Sequence, residues 1–267
     1  MDLAGRTALV TGATGGLGRA IAVALAERGA SLLLSARKRE ALEGLAAGLP
    51  GEEHQVLPCD LAEPDAAERL AAEAGRVDVL IANAGLPAAG WLADFSPEQV
   101  QRALRVNLEA PMLMARKMYP AMVERGSGHL VFVSSLSGKA ASPRSSIYNA
   151  TKFGLRGFAL GLRADLGPKG VGVSLVSPGF IRDAGMFAEA GAKPPPGLGT
   201  GTPEQVGAAT VKAIERNRAE VAVAPIAQRA LAHFALASPA IGVRAQSGSA
   251  GQKAAQAVAD GHSAEKR

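Results

Sequence analysis

Aromatic residues make up only 4% of this chain's 267 residues, so its core has to be aliphatic, assembled from Ala, Val and Leu. A single cysteine, Cys59, excludes an internal disulfide and any zinc cage built of thiolates, and no metal site is expected. Basic residues outnumber acidic ones, 29 to 24, but they form no tract. Without clustering or stacking aromatics, that excess does not make a nucleic-acid footprint; it suits solubility and an anionic small ligand. Long apolar runs are missing too. The best membrane candidate, between Arg229 and Arg244, contains His233 and Pro239 and is too short to span a bilayer. The opening "MDLAGRTALV" has an early acid and no extended apolar segment, so a reduced, cytoplasmic setting is expected.

What the chain does have is apolar bulk, 48% of its residues, which at this length suits one large domain. Short β-rich runs alternate with longer Ala/Leu-rich ones. Strands are expected at "TALVT" (7–11), "SLLLSA" (31–36), "HQVLPCD", "VDVLIANAG", "GHLVFVSS", "GVGVSLVSPG" and "EVAVAP". Helices are expected at about 17–28, at "REALEGLAAGL" and at about 66–74. Runs such as "LVFV" lack polar alternation, as strands buried on both faces do. The pattern predicts an α/β fold over residues 1–245, a doubly wound parallel sheet of about seven strands with helices on both faces. Residues 179–202 are rich in Gly and Pro and are expected to form a substrate loop. An apolar helix is expected at about 226–245, covering the substrate pocket, forming a subunit contact or resting on a membrane surface, in that order. Residues 246–267 are small and polar and are expected to be a disordered tail.

The first strand runs straight into "VTGATGGLGRAIAVALAERGA", with glycines at 12, 16 and 18. A diphosphate must come close to the backbone there, and a Cβ would obstruct it. The helix that follows offers unpaired N–H groups and the positive end of its dipole. The same glycines would also serve a turn that merely packs helix tightly on strand. After the second strand, "LSARKRE" puts Ala36 where a carboxylate would bond a ribose 2′-hydroxyl, then Arg37, Lys38 and Arg39. A guanidinium suits a 2′-phosphate, so NADP(H) is expected and NAD(H) stays possible. The alternative is a solvated basic helix start, which opposes the dipole.

In "IYNATK", Tyr148 and Lys152 are spaced (i, i+4), which places them on one helix face. A phenol with a pKa of about 10 is a poor acid–base catalyst near neutrality. A neighbouring cation lowers it. Taken alone, the pair reads equally as a lysine stem packed on a ring, and Asn107 in "RVNLEAP" as an ordinary helix-breaking residue. Ser134 and Ser135 are adjacent at a strand end, and either could point inward.

The segments "TGATGGLG", "CDL", "ANAG", "RVNLEAP", "VFVSSLSG", "YNATK" and "SPG" occur in that order. Ser135 lies 28 residues after Asn107 (135 − 107) and Tyr148 lies 13 after Ser135 (148 − 135). Together they resemble the classical short-chain dehydrogenases/reductases over roughly residues 5–183. The resemblance implies a Rossmann-type sheet and a catalytic set of Asn107, Ser135, Tyr148 and Lys152. Tyr148 would be the acid/base, Lys152 would tune it and bond the nicotinamide ribose, and Ser135 would orient the carbonyl. Asn107 would anchor a water that relays protons to Lys152. The Ser-x-x-Gly match favours Ser135 over Ser134.

The resemblance also implies cofactor contacts at Gly12, Thr14, Gly16, Leu17, Gly18, Arg37, Asp60, Leu61, Asn83, Ala84, Gly85, Tyr148, Lys152, Pro178, Gly179 and Ile181. Asp60 would lie near the adenine, though a helix cap would serve it as well. "ANAG" would lie beside the adenine ribose, and Gly179 would let the backbone pass the nicotinamide. Two departures stand out. Asp183 holds a position where the family commonly has threonine, so a carboxylate there would repel the diphosphate. The glycine-rich ending common after the last strand is missing.

The expected function is an NADP(H)-dependent oxidoreductase interconverting a carbonyl and an alcohol. Met186, Phe187 and Pro194 to Pro196 suggest an apolar substrate. A non-catalytic NADP-binding sensor or scaffold is the alternative. The resemblance implies a homodimer or homotetramer built through the helices flanking "VFVSS".

Overall fold

The computed structural model describes residues 1–262. Among them, seven strands form one parallel sheet in the order β3-β2-β1-β4-β5-β6-β7. The strands are β1 (Thr7–Thr11), β2 (Ser31–Ala36), β3 (Gln55–Pro58), β4 (Val79–Ala82), β5 (Gly128–Val133), β6 (Val171–Pro178) and β7 (Glu220–Val223). Each sits inside a run read from the sequence. Their side chains alternate between two separate cores. Ala8, Val10, Leu32, Leu34, Val131 and Val176 face one side, while Leu9, Leu33, Leu80, Leu130, Phe132 and Leu175 face the other. Both faces are covered, which is why these strands show no polar alternation.

The first core is closed by α1 (Gly16–Ala26), α2 (Arg39–Ala47) and α8 (Pro203–Glu215), through Ile21, Leu25, Leu42, Leu45, Val206 and Ile214. The second is closed by α3 (Ala66–Glu73), α5 (Ala110–Glu124) and α6 (Ser146–Leu166), through Leu70, Met114, Met118, Met122 and Leu155. A further helix, α4 (Pro97–Leu104), precedes α5. Both α4 and α8 begin with the same device. Ser96 with Gln99, and Thr202 with Gln205, form reciprocal capping boxes with a proline just inside the helix, which satisfies first-turn N–H groups and presets the first φ.

Strand order reverses between β1 and β4. The connections from these neighbours leave on opposite sides, opening a crevice beyond their carboxyl ends. The Gly12–Gly18 turn, residues 83–85, Ser135 and residues 178–181 all lie just after the carboxyl ends of β1, β4, β5 and β6.

The loop 179–202 holds a one-turn helix, α7 (Met186–Glu189). Two expectations about the rest of the C-terminal third need correction. The apolar helix is two helices, α9 (Ile226–Ala237) and α10 (Pro239–Gln246), because Pro239 lacks an N–H and cannot continue α9. The tail contains α11 (Ser249–Asp260), formed by its alanine-rich run and ended by packing on the loop. Ala259 and His262 are buried, and Gly261 lies so close to Ala190 that a Cβ would strike its backbone. Residues 263–267 lie outside the described residues. No helix among the described residues is long and apolar enough to cross a membrane.

Candidate active site

The glycine turn opens α1 with a bare end. Its N-cap, Gly15, supplies no side-chain cap, and the first turn holds no acid. First-turn N–H groups and the dipole are therefore available to an anion, and a diphosphate fits this turn. The glycines also allow close packing. A Cβ on Gly12 would stand 2.9 Å from Ala84 Cα, one on Gly18 would strike the Gly12 carbonyl, and one on Gly16 would strike Ala184. The turn thereby packs on Ala84, on itself and under Ala184. Thr14 and Leu17 are half-buried in the same turn, and Leu17 approaches Gly185.

Thr11, which sequence reasoning missed, ties this turn to the next strand. Its hydroxyl donates to Ile81 O (3.3 Å) and accepts from the N–H groups of Asn83 and Ala84 (3.1 Å each). The Asn83 amide donates to Thr11 O (2.9 Å) and Gly12 O (3.2 Å). Its side chain is thus engaged by the turn.

At the outer end, exposed Arg37 lines a cleft with Pro58, Cys59 and Asp60. Arg39 pairs with Glu43 on its own helix (3.8 Å), and Arg69, which lines the same cleft, pairs with Glu63 (3.2 Å). Asp60 accepts from Ala62 N (2.9 Å); it caps the turn after β3, while the N-cap of α3 is Asp65. Leu61 is buried beside it. Cys59 is half-buried, and burial pushes its thiol up, as befits a packing residue.

The central cluster gathers Asn107, Ser135, Tyr148 and Lys152. Ser135 caps a short 3-10 turn at 136–138, with Oγ accepting from Ser137 N (3.1 Å). Tyr148 stands in the first turn of α6. Burial pushes its phenol up to about 12, and the adjacent Ser135 hydroxyl opposes that shift. Lys152, one turn on, is 3% exposed. Its ammonium donates to Val133 O (3.1 Å), and burial lowers its pKa to about 8.

Nζ lies over the Tyr148 ring, 5.5 Å from its centroid, and desolvation is the largest cause of both shifts. Ser134 turns inward instead, its hydroxyl donating to Lys152 O (3.4 Å).

Asn107 is fully buried in a π-helical turn, Arg105–Glu109, between α4 and α5. Its Oδ1 accepts from Leu86 N (2.6 Å) and its Nδ2 donates to Leu86 O (3.0 Å). Both ends of the amide are engaged by that backbone. Thr151, also missed from sequence, joins Asn107 to α6: its hydroxyl donates to Tyr148 O (2.8 Å) and accepts from Asn107 Nδ2 (3.5 Å).

The loop after β6 closes over this cluster. Beyond Pro178, a Cβ on Gly179 would strike Gln228 Oε1, so that glycine makes room for Gln228. Buried Gln228 is a clasp, its Oε1 accepting from Phe180 N (3.0 Å) and its Nε2 donating to Leu198 O (3.2 Å) and Gly199 O (2.8 Å). Ile181 is buried and bridges to Gly201. Asp183 has φ 69, a left-handed conformation that Asp tolerates better than most residues. Its carboxylate is exposed and paired with Arg182 (3.2 Å), which moderates the expected repulsion. Met186 Cε and Lys152 Nζ both flank Gly85, 3.5 and 3.9 Å from where its Cβ would be, and Phe187 packs on Phe180 at 4.6 Å.

Comparison with known proteins agrees with this arrangement. Among curated proteins, the chain is 36% identical to the ketoacyl reductase HetN of Nostoc over 227 residues, 83% of this chain and 79% of that one. Among solved structures, a short-chain dehydrogenase from Streptomyces avermitilis superposes with a TM-score of 0.76 at 27% identity, covering 92% of this chain and 96% of that one. A short-chain dehydrogenase from Sphingobium yanoikuyae in complex with NADPH superposes with a TM-score of 0.76 at 28% identity, covering 90% and 95%. The family described as short chain dehydrogenase matches residues 6–195, a span that runs from β1 through the loop after β6 and takes in the whole cluster. With fold and sequence matching over that length, the chain belongs to the short-chain dehydrogenase/reductase family.

Proposed function

We propose that the chain is an NADP(H)-dependent oxidoreductase that interconverts a carbonyl and an alcohol. The reading rests on one grouping: Ser135 beside the Tyr148 phenol, with buried Lys152 one turn away under the same ring. The NADPH-bound relative supports the cofactor, and the ketoacyl reductase supports the reaction class. First-turn N–H groups of α1 would hold the diphosphate and Arg37 a 2′-phosphate. Asp60, Leu61, Ala84 and Gly85 would border the adenosine, Lys152 the second ribose, and residues 178–181 the nicotinamide. Once bound, the nicotinamide supplies or accepts the hydride.

The protein's own part is proton handling. With its pKa near 12, the phenol is protonated at neutral pH, the form needed to give a proton to a developing alkoxide. The Ser135 hydroxyl, already accepting from Ser137 N, keeps its own proton free to donate to the substrate oxygen. Met186, Phe187 and Phe180 give the substrate side an apolar wall, so we assign an apolar carbonyl. A cytoplasmic homodimer or homotetramer is part of the same proposal; Phe153 on α6 stands 39% exposed on the face an oligomer would use.

The test is NADPH oxidation across ketones and aldehydes. Tyr148→Phe should lower turnover by about 10²-fold or more, the scale of general acid catalysis, and leave NADPH binding intact. Unchanged turnover would refute the assignment. Arg37→Glu should raise KM for NADPH far more than for NADH; equal effects would remove the 2′-phosphate argument.

A further inference from the structure

Beneath the cluster lies a buried ionic group that the proposed chemistry does not use. Lys139, on β5's far connection, is only 4% exposed at its side chain, and its Nζ lies 3.1 Å from Glu220 Oε1. Glu220 opens β7 at the sheet edge. Its other oxygen meets Arg156, whose Nε and Nη2 donate at 3.3 Å each, and Ser177 Oγ donates to Oε1 at 3.1 Å. Hydrogen bonds and charge from Arg156 and Lys139 hold the carboxyl below its usual range, although burial pushes the other way.

The group's place in the chain gives it a meaning. Lys139 closes the 3-10 turn that Ser135 opens, so the two residues bracket one short, stiff piece of backbone. Arg156 follows Tyr148 and Lys152 at four-residue steps on α6, on the same helix face. One carboxylate therefore grips both the turn that carries Ser135 and the helix that carries Tyr148. The two pieces also touch directly, for a Cβ on Gly138 would stand 2.7 Å from Lys152 O.

We propose that Glu220 is a positioning residue which, through Lys139 and Arg156, sets the distance between the Ser135 hydroxyl and the Tyr148 phenol. A long-range bond network of this kind would matter little for folding alone, because replacing a buried ionic group by apolar residues is often neutral. It matters for a pair of groups that must meet one substrate oxygen. The inference rests on the oxidoreductase reading above.

The test uses Lys139→Met, which leaves Glu220 paired with Arg156 and removes a buried cation, with Glu220→Gln as a second variant. For each, kcat, NADPH Kd and thermal midpoint are measured in the wild-type and Ser135→Ala backgrounds. Lys139→Met should lower kcat by about ten- to a hundredfold, the cost of misplacing groups by up to an ångström, with NADPH Kd within about twofold. In the Ser135→Ala background the further loss should be under about twofold, since groups acting as one unit are not additive. Equal losses in both backgrounds would overturn the proposal, as would a change confined to Kd or thermal midpoint. If Tyr148→Phe and Ser135→Ala themselves leave turnover unchanged, the oxidoreductase reading has failed. If both reduce it while Lys139→Met is additive, only the positioning role has.

Discussion

Lys152 permits a test that needs no substrate. Burial lowers its pKa from 10.5 to about 8, so between those values the unfolded chain binds a proton that the native state does not. Stability must rise with pH across that window. At about 1.4 kcal/mol per pH unit, the full span contributes about 3 kcal/mol, and the portion between pH 7.5 and 10 about 2 kcal/mol. Tyr148 acts in the opposite sense. Its phenol, raised from 10 to about 12, favours the native state until pH passes 10 and then withdraws that support, so measurements should stop at pH 10. Lys152→Met removes the first contribution and leaves Val133 O without its donor, a pH-independent cost of about 1–3 kcal/mol. The assay is urea denaturation of wild type and variant from pH 7.5 to 10. The wild type should gain about 2 kcal/mol on the variant across the series, from the linkage above. A constant difference would show that Lys152 titrates normally and is not desolvated.

Two further substitutions probe the scaffold. Gly138→Ala places a Cβ 2.7 Å from Lys152 O where 3.4 Å is ordinary contact, so the turn and α6 must separate by 0.7 Å (3.4 − 2.7). Turnover should fall about ten- to a hundredfold with misplacement on that scale, at a stability cost of about 1–3 kcal/mol; full activity with an unchanged thermal midpoint would contradict it. Gln228→Leu keeps the volume but strands Phe180 N and the carbonyls of Leu198 and Gly199. Limited chymotrypsin digestion at Leu198, whose carbonyl Gln228 holds, should accelerate by at least about tenfold, from about 1–3 kcal/mol per stranded group, with little change in the global unfolding midpoint.

The strands were legible because both their faces are apolar, and "TALVT" and "SLLLSA" needed no adjustment at either end. The family's residues were legible because their spacing survives in one dimension. The work of the glycines was not, since nothing in "TGATGGLG" says that the neighbour facing Gly12 is Ala84, or that Ala184 comes down on Gly16. The residues that hold the site together were hidden for the same reason. Thr11 meets a partner 70 residues away and Asn107 meets Thr151 across 44, while Glu220 reaches Arg156 across 64. Single threonines and a strand-edge glutamate carry no local signal of such pairings. The break between α9 and α10 was different: Pro239 was in plain view, and the apolar character of the stretch masked it.

The π-helical turn at Arg105–Glu109 has a consequence for how this chain can change length. It inserts one residue into what is otherwise a continuous rod from Pro97 to Glu124. Loss of any one residue there would let the rod relax to regular α-helix. The wide turn absorbs its extra residue, so everything beyond would keep its phase relative to α4, and Met114, Met118 and Met122 would still face the sheet. The loss would be local, shifting Asn107 from Leu86, whereas a deletion in the regular turns of α5 would rotate everything beyond it by about 100°. Length variation in this protein should instead gather in the connections on the open side of the sheet, such as residues 190–200, where an added residue shifts no helical register.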